Sequence, residues 1–322
     1  MSKSPEQRLE AKRAAWLHRT MVILGLDQDA ALRLLNIERC QSLRINPLKS
    51  NDSTMQELKK LDWQGKQLAW AKDAYAIERG LAEIRDSLLI AEGKVYIQNA
   101  ASWLPVIALD PQPGDDILDV CAAPGGKTSH IAALANNQAH ITANDNSRPR
   151  LAKMRANLER LGVQNVEYTL YDASQLARKL DGRQFDKILL DAPCSGEGLM
   201  RYDRDKDFAT WSVAHIKRLQ QLQKRILVQS WKLLKPGGTL VYSTCTMAPE
   251  EDEAVVDYLI RTQDDAQIVP LPSSLPQGVP TIGSWNGRAY SPETQKCLRF
   301  APSKDIEAFF VCKFTKIPQD VI

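Results

Sequence analysis

The stretch DVCAAPGGKT, Asp119 to Thr128, decides the fold of this 322-residue chain. It begins inside a short apolar run, 117–120, and leads into a helical pattern from about Lys127. Two adjacent glycines, Gly125 and Gly126, let the backbone come close to a bound ligand. The free N–H groups at the start of a helix favour a polar or anionic group at that point. The stretch therefore predicts a ligand-binding loop between a β-strand and an α-helix.

Apolar runs and helical patterns alternate along the chain after this loop. Further strands are predicted at 139–144, 166–170, 185–190 and 239–243. Helical patterns lie between them, at 147–161 and 216–234. The alternation is typical of βαβ units, so we predict an α/β fold with a Rossmann-like, mostly parallel sheet. The apolar run Phe309–Cys312 predicts one antiparallel edge strand near the C-terminus.

The first 95 residues have a different pattern. Leu17, Met21 and Leu24 recur at helical spacing, and Asp29 can act as the N-cap of a second helix. After Pro47 the sequence is mixed and polar, without a clear period. We therefore predict a small α+β domain over residues 1–95 and a larger α/β domain over residues 96–322.

The composition is that of a globular chain. Hydrophobic residues make up 43% and charged residues 25%, which argues against large-scale disorder. A net charge of +3 is too small to indicate nucleic-acid binding by itself. The polar N-terminus has no apolar signal core, and the early apolar runs are too short to span a bilayer. We expect a cytoplasmic, monomeric protein that does not bind membranes.

Six cysteines occur without any Cys-x-x-Cys pair, which fits neither a disulfide framework nor a zinc site. We therefore expect reduced thiols and no bound metal. Cys40, Cys297 and Cys312 are expected to pack as small apolar side chains, and the same interpretation is favoured for Cys121.

Three ligands are compatible with the glycine-bearing loop. The GGKT end suggests a phosphate-binding P-loop, but that motif requires a glycine where this chain has Cys121. A dinucleotide fingerprint requires Gly-x-Gly-x-x-Gly, which the loop lacks. The third candidate is S-adenosylmethionine.

Three acidic residues favour the third candidate. Asp119, Asp145 and Asp172 each follow or end a successive predicted strand. A carboxylate at Asp145 can accept both hydroxyls of a ribose, as an acid does in dinucleotide-binding folds, and Asp172 would reach an adenine amino group. Each acid alone could equally be a helix cap. Together they predict an S-adenosylmethionine site.

Two further motifs end apolar runs with a cysteine: DAPCSGEG, Asp191 to Gly198, and VYSTCT, Val241 to Thr246. Chemistry collects beyond the carboxyl ends of strands in an open α/β sheet, so Asp191, Cys194 and Cys245 are expected to meet. A nucleophilic thiol needs help to ionise, from a cation such as Lys127 or from the helix start predicted at 249–253. The alternative, a redox pair, lacks the Cys-x-x-Cys spacing. The set suits covalent chemistry on a pyrimidine base.

These three motifs together resemble the Nop/Sun family of RNA cytosine-5 methyltransferases, which includes bacterial ribosomal RNA enzymes. The resemblance covers most of the chain from Ser42 to Phe314 and includes SLRINPLK, NDNSRPRL and EDEAVV. It implies a class I methyltransferase sheet, S-adenosylmethionine as the cofactor, and the following cofactor-binding residues: Cys121, Ala122, Ala123, Pro124, Gly125, Gly126, Lys127, Asp145, Asp172 and Asp191.

The resemblance also assigns the catalytic roles. It makes Cys245 the nucleophile that attacks the base and Cys194 the residue that helps release the product, with Asp191 and Lys127 completing the catalytic set. DNA cytosine methyltransferases use a Pro-Cys cysteine as the nucleophile, so residue chemistry alone does not choose between the two thiols.

The expected substrate is a cytosine in RNA, with ribosomal RNA preferred to transfer RNA. A non-catalytic RNA-binding assembly factor that keeps the fold is the alternative from another functional class. The N-terminal domain is expected to contact RNA, and four basic residues near the site are expected to meet phosphates: Arg44, Lys49, Arg201 and Arg204.

Overall fold

A computed structural model of the protein describes residues 4–318. The helices are α1 Pro5–Leu24, α2 Gln28–Leu35, α3 Thr54–Lys60, α4 Leu81–Arg85, α5 Leu88–Ala91, α6 Leu104–Leu109, α7 Gly126–Leu134, α8 Arg148–Arg160, α9 Leu176–Lys179, α10 Val213–Lys232 and α11 Glu253–Thr262. The strands are β1 Ser42–Ile45, β2 Gln64–Gln67, β3 Ala74–Arg79, β4 Val95–Gln98, β5 Asp116–Asp119, β6 His140–Asn144, β7 Val166–Thr169, β8 Phe185–Asp191, β9 Leu234–Thr244, β10 Ala266–Val269, β11 Ser284–Trp285, β12 Arg288–Ala289, β13 Leu298–Phe300 and β14 Phe309–Lys316.

The larger sheet has the strand order β10-β14-β9-β8-β5-β6-β7, and β13 also pairs with β14. Strands β5 to β9 are parallel to one another where they pair. Because parallel strands end at one edge, the loops after β5, β6, β8 and β9 lie together. The predicted α/β class with a mostly parallel sheet is confirmed.

Strand β14 runs antiparallel to β9, β10 and β13, as predicted for the late apolar run. It is an internal strand, however, so the prediction of an edge position is wrong. Phe310, Val311 and Cys312 are 0% exposed because neighbouring strands and both faces of the sheet cover them. An unbroken apolar run is the pattern of a strand that is buried on both faces.

The N-terminal sheet has the order β2-β3-β1-β4 and is antiparallel. Its strand β4 continues to Gln98, past the expected domain boundary at residue 95. One face packs Leu43 and Val95 against α3, α4 and α5. The other face turns Arg44 and Gln98 toward α7, which follows the ligand-binding loop.

Helices α1 and α2 cover the loops that follow β8 and β9. Trp16, which is 0% exposed, meets the ring of Phe208 edge-on with the centroids 5.4 Å apart. Met247, just after β9, belongs to the same apolar cluster. The N-cap of α2 is Asp27 rather than Asp29, since the Asp27 Oδ1 atom accepts from Ala30 N at 2.7 Å. No helix within residues 4–318 is long and apolar enough to cross a membrane.

Candidate active site

The site lies at the edge where the parallel strands end. Asp191 is the last residue of β8 and pairs with Ser243 of β9, two residues before Cys245. Cys194 lies in the turn after β8, and its Sγ atom is 3.3 Å from the Sγ atom of Cys245. The structure therefore brings together the carboxylate and both thiols that the sequence motifs singled out.

Two side chains hold the Asp191 carboxylate. Lys127 Nζ donates to its Oδ2 at 2.7 Å, and Ser243 Oγ donates to its Oδ1 at 2.8 Å. Burial lowers the pKa of Lys127, but the charges of Asp191 and Cys245 outweigh burial and leave that pKa above its ordinary value. Ser243 was missed by the sequence reasoning. Its position near the end of β9, two residues before Cys245, was the available signal.

The surroundings of Cys194 keep its thiol neutral. The hydrogen bond with Cys245 and burial raise the Cys194 pKa well above its ordinary value, and the Glu251 charge adds to the rise.

A buried polar network joins the turns of the two cysteines. Ser195 N and Gln223 Nε2 each donate to Glu251 Oε1 at 2.9 Å, and Ser195 Oγ lies 2.9 Å from Thr246 Oγ1. Burial raises the pKa of Glu251 to about 7. Sequence reasoning missed Glu251 because a run of four acids, Glu250 to Glu253, has the pattern of a solvated surface. All four are at most 5% exposed.

The candidate cofactor cavity, of about 340 Å³, opens between these turns and the ends of β5 and β6. Asp145 lines it, is 3% exposed, and accepts from Ser147 N at 2.9 Å with its Oδ1 atom. Asp172 also lines it, is exposed, and accepts from Ser174 N at 2.9 Å. Both acids therefore cap a backbone N–H and border the cavity, so the two interpretations of these residues are compatible.

The glycine-bearing loop separates this cavity from a second one of about 290 Å³. Cys121 and Ala123 line both cavities, and Lys127 and Gln98 line the second. Burial raises the pKa of Cys121 far above its ordinary range, so Cys121 is a neutral thiol in the wall. Gly125 has φ 95°, and a Cβ there would lie 3.1 Å from Met154 and Leu158. The second cavity is also lined by the other loop residues of the predicted set, Ala122, Pro124 and Gly126. Gly125 is not among the lining residues of either cavity.

Asp119 differs from the other two acids because it is 1% exposed and points into the second cavity. Its Oδ2 atom accepts from Thr128 Oγ1 at 2.7 Å, while its Oδ1 atom has no partner among the residues described. Burial raises its pKa to about 7. The amide atoms of Gln98 are likewise buried without partners in the described part of the chain. Buried polar atoms of this kind fit a polar ligand, so the residues present suit the amino-acid end of S-adenosylmethionine.

The four predicted phosphate contacts have different surroundings. Arg44 is 1% exposed, and its Nη2 atom donates to Ser129 Oγ of α7 at 2.7 Å. The prediction that it meets phosphates is wrong, because its face of β1 packs against α7. Lys49 is exposed, whereas Arg201 pairs with Asp203 at 2.8 Å.

Arg204 pairs with Asp207 at 3.1 Å and lines a cavity of about 280 Å³ together with Arg201 and Arg39. Arg39 was not singled out from the sequence. It donates to the backbone carbonyls of Gly198 and Met200 and so stabilises the turn beside the cysteines. Over residues 4–318, no cluster of His, Cys, Asp and Glu side chains could hold a metal ion.

Comparisons with known proteins identify the family. The family described as 16S rRNA methyltransferase RsmB/F matches residues 106–315. A tRNA (cytosine(49)-C(5))-methyltransferase of Pyrococcus abyssi is 38% identical over 85% of this chain and 88% of its own length. Ribosomal RNA small subunit methyltransferase F of Serratia proteamaculans is 38% identical over 94% of this chain, which spans only 63% of that protein.

Solved structures agree with the sequence comparisons. A methyltransferase homolog from Pyrococcus horikoshii has a TM-score of 0.78 and 33% identity, over 98% of this chain and 100% of its own. NSun6 from the same organism, solved with SFG, has a TM-score of 0.79 and 25% identity, over 94% and 98% of the two chains. These matches confirm the Nop/Sun resemblance, and the chain belongs to the RsmB/F family of RNA cytosine-C5 methyltransferases.

Proposed function

We propose that the protein transfers a methyl group from S-adenosylmethionine to C5 of a cytosine in ribosomal RNA, through a covalent adduct with Cys245. The observation that carries the proposal is the pair of thiols 3.3 Å apart, beside the Lys127–Asp191 ion pair, at the edge of a methyltransferase sheet. A module that only binds RNA has no need of this arrangement.

The cofactor would be held by the loop 121–127, by Asp145 at the ribose, and by Asp172 near the adenine. When bound, S-adenosylmethionine supplies an electrophilic methyl group. The buried, unpartnered Oδ1 atom of Asp119 and the amide of Gln98 suit its ammonium group, since each presents an acceptor.

The charges around the two thiols support Cys245 as the nucleophile. Two sulfurs at 3.3 Å share one proton after the first ionisation. The Lys127 ammonium interacts with Cys245, whereas Cys194 interacts with the acid Glu251, and its hydrogen bond with Cys245 and burial raise its pKa well above the ordinary value. This arrangement keeps the S–H group on Cys194 and leaves Cys245 as the nucleophile.

The thiolate of Cys245 adds to C6 of the cytosine, and the electrons of the C5–C6 double bond make C5 nucleophilic. Asp191, held by Lys127 and Ser243, would accept from the 4-amino group, and the Lys127 ammonium beside it would stabilise the negative charge that develops on the ring. After C5 is methylated, its proton passes to solvent water, the C5–C6 double bond forms again, and the Cys245 sulfur leaves. The Cys194 S–H group then donates to that departing sulfur.

Ribosomal RNA is the preferred substrate because the matching family is described by 16S rRNA. Transfer RNA is a second candidate, favoured by the 88% coverage of the Pyrococcus abyssi tRNA enzyme, compared with 63% of the Serratia enzyme. In either RNA the target base must leave its stack, which costs a few kcal/mol and is easiest in loops.

The experiment replaces each thiol in turn and uses unmodified transcripts of small-subunit ribosomal RNA and of transfer RNA. Cys245→Ala should lose methyl transfer by roughly 10³-fold or more and form no adduct, because the nucleophile is gone. Cys194→Ala should still attack but release slowly, so that protein remains on the RNA in a denaturing gel.

Cys297→Ala, a change at a buried thiol of the β-sheet core, is the matched control and should behave as the wild type. Adduct from Cys245→Ala, or none from Cys194→Ala, would contradict the proposed roles. If only the transfer RNA is methylated, transfer RNA is the substrate and ribosomal RNA is not.

A further inference from the structure

The side chain of Glu251 is fully buried between the turns that carry the two cysteines. Its Oε1 atom accepts from Ser195 N and from Gln223 Nε2, both at 2.9 Å, and its Oε2 atom accepts from Ser195 Oγ. Gln223 also donates to the carbonyl oxygen of Pro193 at 2.9 Å. The residues directly before and after Cys194 are therefore tied to one carboxylate from a different part of the chain.

The same network reaches the other thiol. Ser195 Oγ lies 2.9 Å from the Oγ1 atom of Thr246, which directly follows Cys245. The backbone carbonyl of Glu251 accepts from the hydroxyl of Tyr242 in β9 at 2.6 Å. Glu251 thus joins the turn of Cys194 to the strand and turn that position Cys245. Because these groups are buried, water does not replace a lost hydrogen bond at low cost.

On the basis of the proposed function, we propose that Glu251 is a positioning residue that holds Cys194 against Cys245 and thereby governs release of the methylated RNA from the covalent adduct. It is 0% exposed, so it acts through Ser195 and Cys194 and does not touch the base.

Release of the methylated RNA from Cys245 involves three bond changes. The C5 proton passes to water, its electron pair forms the C5–C6 double bond, and the bond between C6 and the Cys245 sulfur breaks. Only the last event needs the Cys194 S–H group within reach of that sulfur. Attack by Cys245 does not need it, because the pairing of Ser243 with β8 and of Thr244 with β14 positions the backbone directly before Cys245.

Glu251→Gln tests the proposal. The glutamine offers one acceptor oxygen and an NH₂ group, so it removes the negative charge from these hydrogen bonds and forces Ser195 Oγ, which donates to Glu251, to accept instead. Two forms of the transcript that the wild type methylates are compared: ordinary RNA and RNA that contains 5-fluorocytidine. The fluorinated base has no C5 proton to lose, so its adduct persists after methyl transfer and reports attack and methylation without release.

Glu251→Gln should form the adduct on fluorinated RNA at the wild-type rate, with an unchanged KM for S-adenosylmethionine. On ordinary RNA it should accumulate about tenfold more adduct than the wild type. The control is Glu250→Gln, since the neighbouring Glu250 is also buried but pairs with Arg19 of α1 at 2.7 Å. Glu250→Gln should leave the ratio of adduct to product as in the wild type. This should hold even if its melting temperature falls as much as that of Glu251→Gln.

The role of Glu251 would be overturned if Glu251→Gln slowed adduct formation on fluorinated RNA as much as it slowed methylation of ordinary RNA. It would also be overturned if no extra adduct accumulated on ordinary RNA. If Glu251→Gln does not fold, Ser195→Ala removes the hydroxyl that links Glu251 to Thr246 and should raise the adduct several-fold. Failure of the wild type to form any adduct on fluorinated RNA would instead refute the proposed function.

Discussion

Cys194 and Cys245 carry the same functional group, but their neighbours differ. Glu251 lies on the side of Cys194, and the Lys127 ammonium lies on the side of Cys245. A sequence motif records which residues are present, whereas the position of a proton between two sulfurs depends on charges that are distant in sequence. The motifs therefore predicted the pair of thiols, and the folded chain supplies a physical reason to divide their roles.

Asp119 provides a prediction about pH and stability. Burial raises its pKa from 3.8 to about 7, so between these values the folded protein keeps a proton that the unfolded chain has lost. The free energy of unfolding should therefore fall as the pH rises from about 4 to about 7, by up to about 4 kcal/mol from this residue. Asp119→Asn removes this contribution, because an amide does not ionise.

The measurement is the free energy of unfolding of both proteins by urea at several pH values. All other titratable groups are shared, so the difference isolates residue 119. The free energy of unfolding of Asp119→Asn minus that of the wild type should increase steadily up to about pH 7 and be constant above about pH 8. A difference that does not change with pH would show that Asp119 is not protonated in the folded state.

Most strands were predicted within a few residues. The strand expected at 117–120 is Asp116–Asp119, and that expected at 185–190 is Phe185–Asp191. The least accurate was the strand expected at 239–243, which begins at Leu234 and includes the Pro-Gly-Gly stretch. Glycine and proline indicate a turn locally, but pairing of Leu234 with Phe185 of β8 extends the strand through them.

Gly198 tests the packing of three backbone segments beside the site. Its N atom donates to Cys245 O at 2.9 Å, and a Cβ would overlap the carbonyl oxygen of Ala308 and lie 2.8 Å from Cys245 O. Gly198→Ala should therefore shift the turn beside the nucleophile. We expect methyl transfer to fall at least about tenfold, with a loss of roughly 1–3 kcal/mol in the free energy of unfolding.

Gly283→Ala is the control, since a Cβ there would meet nothing within 4 Å. Rates from methyl incorporation and stabilities from urea unfolding are compared for both variants. Wild-type methyl transfer by Gly198→Ala would mean that these segments are not in close contact in solution.

At the scale of the whole molecule, the N-terminal sheet packs against the helix that follows the cofactor loop. Arg44 lies in this contact, and two of its nitrogens, Nε and Nη1, lack partners within residues 4–318. Burial lowers the pKa of Arg44 to about 10. A buried cation without a carboxylate partner contributes little to stability, and an apolar side chain of similar size often replaces it without loss.

Arg44→Met should therefore leave the free energy of unfolding unchanged or raise it by about 1–4 kcal/mol. It should also leave the salt dependence of RNA binding unchanged, because Arg44 does not reach phosphates. Arg201→Ala, at the partly exposed arginine of the cavity that Arg39 and Arg204 also line, should reduce the slope of log Kd against log salt by about 1.

Binding of the same transcript at several salt concentrations decides between these outcomes. If Arg44→Met reduces the slope of log Kd against log salt, Arg44 contacts RNA phosphates after all. An unchanged slope for Arg201→Ala would mean that its pairing with Asp203 persists in the complex.

The alternation of strands and helices, the glycine-bearing loop and the placement of Asp191, Cys194 and Cys245 were all predictable from the sequence. These features depend on local periodicity and on the rule that parallel strands end at a common edge. Tertiary structure alone decided that Arg44 is buried, that the run Glu250–Glu253 is internal, and that β14 lies between two strands. Burial depends on which segments pack together, and Ser195 and Glu251, which hold the Cys194 turn, are 56 residues apart in the chain.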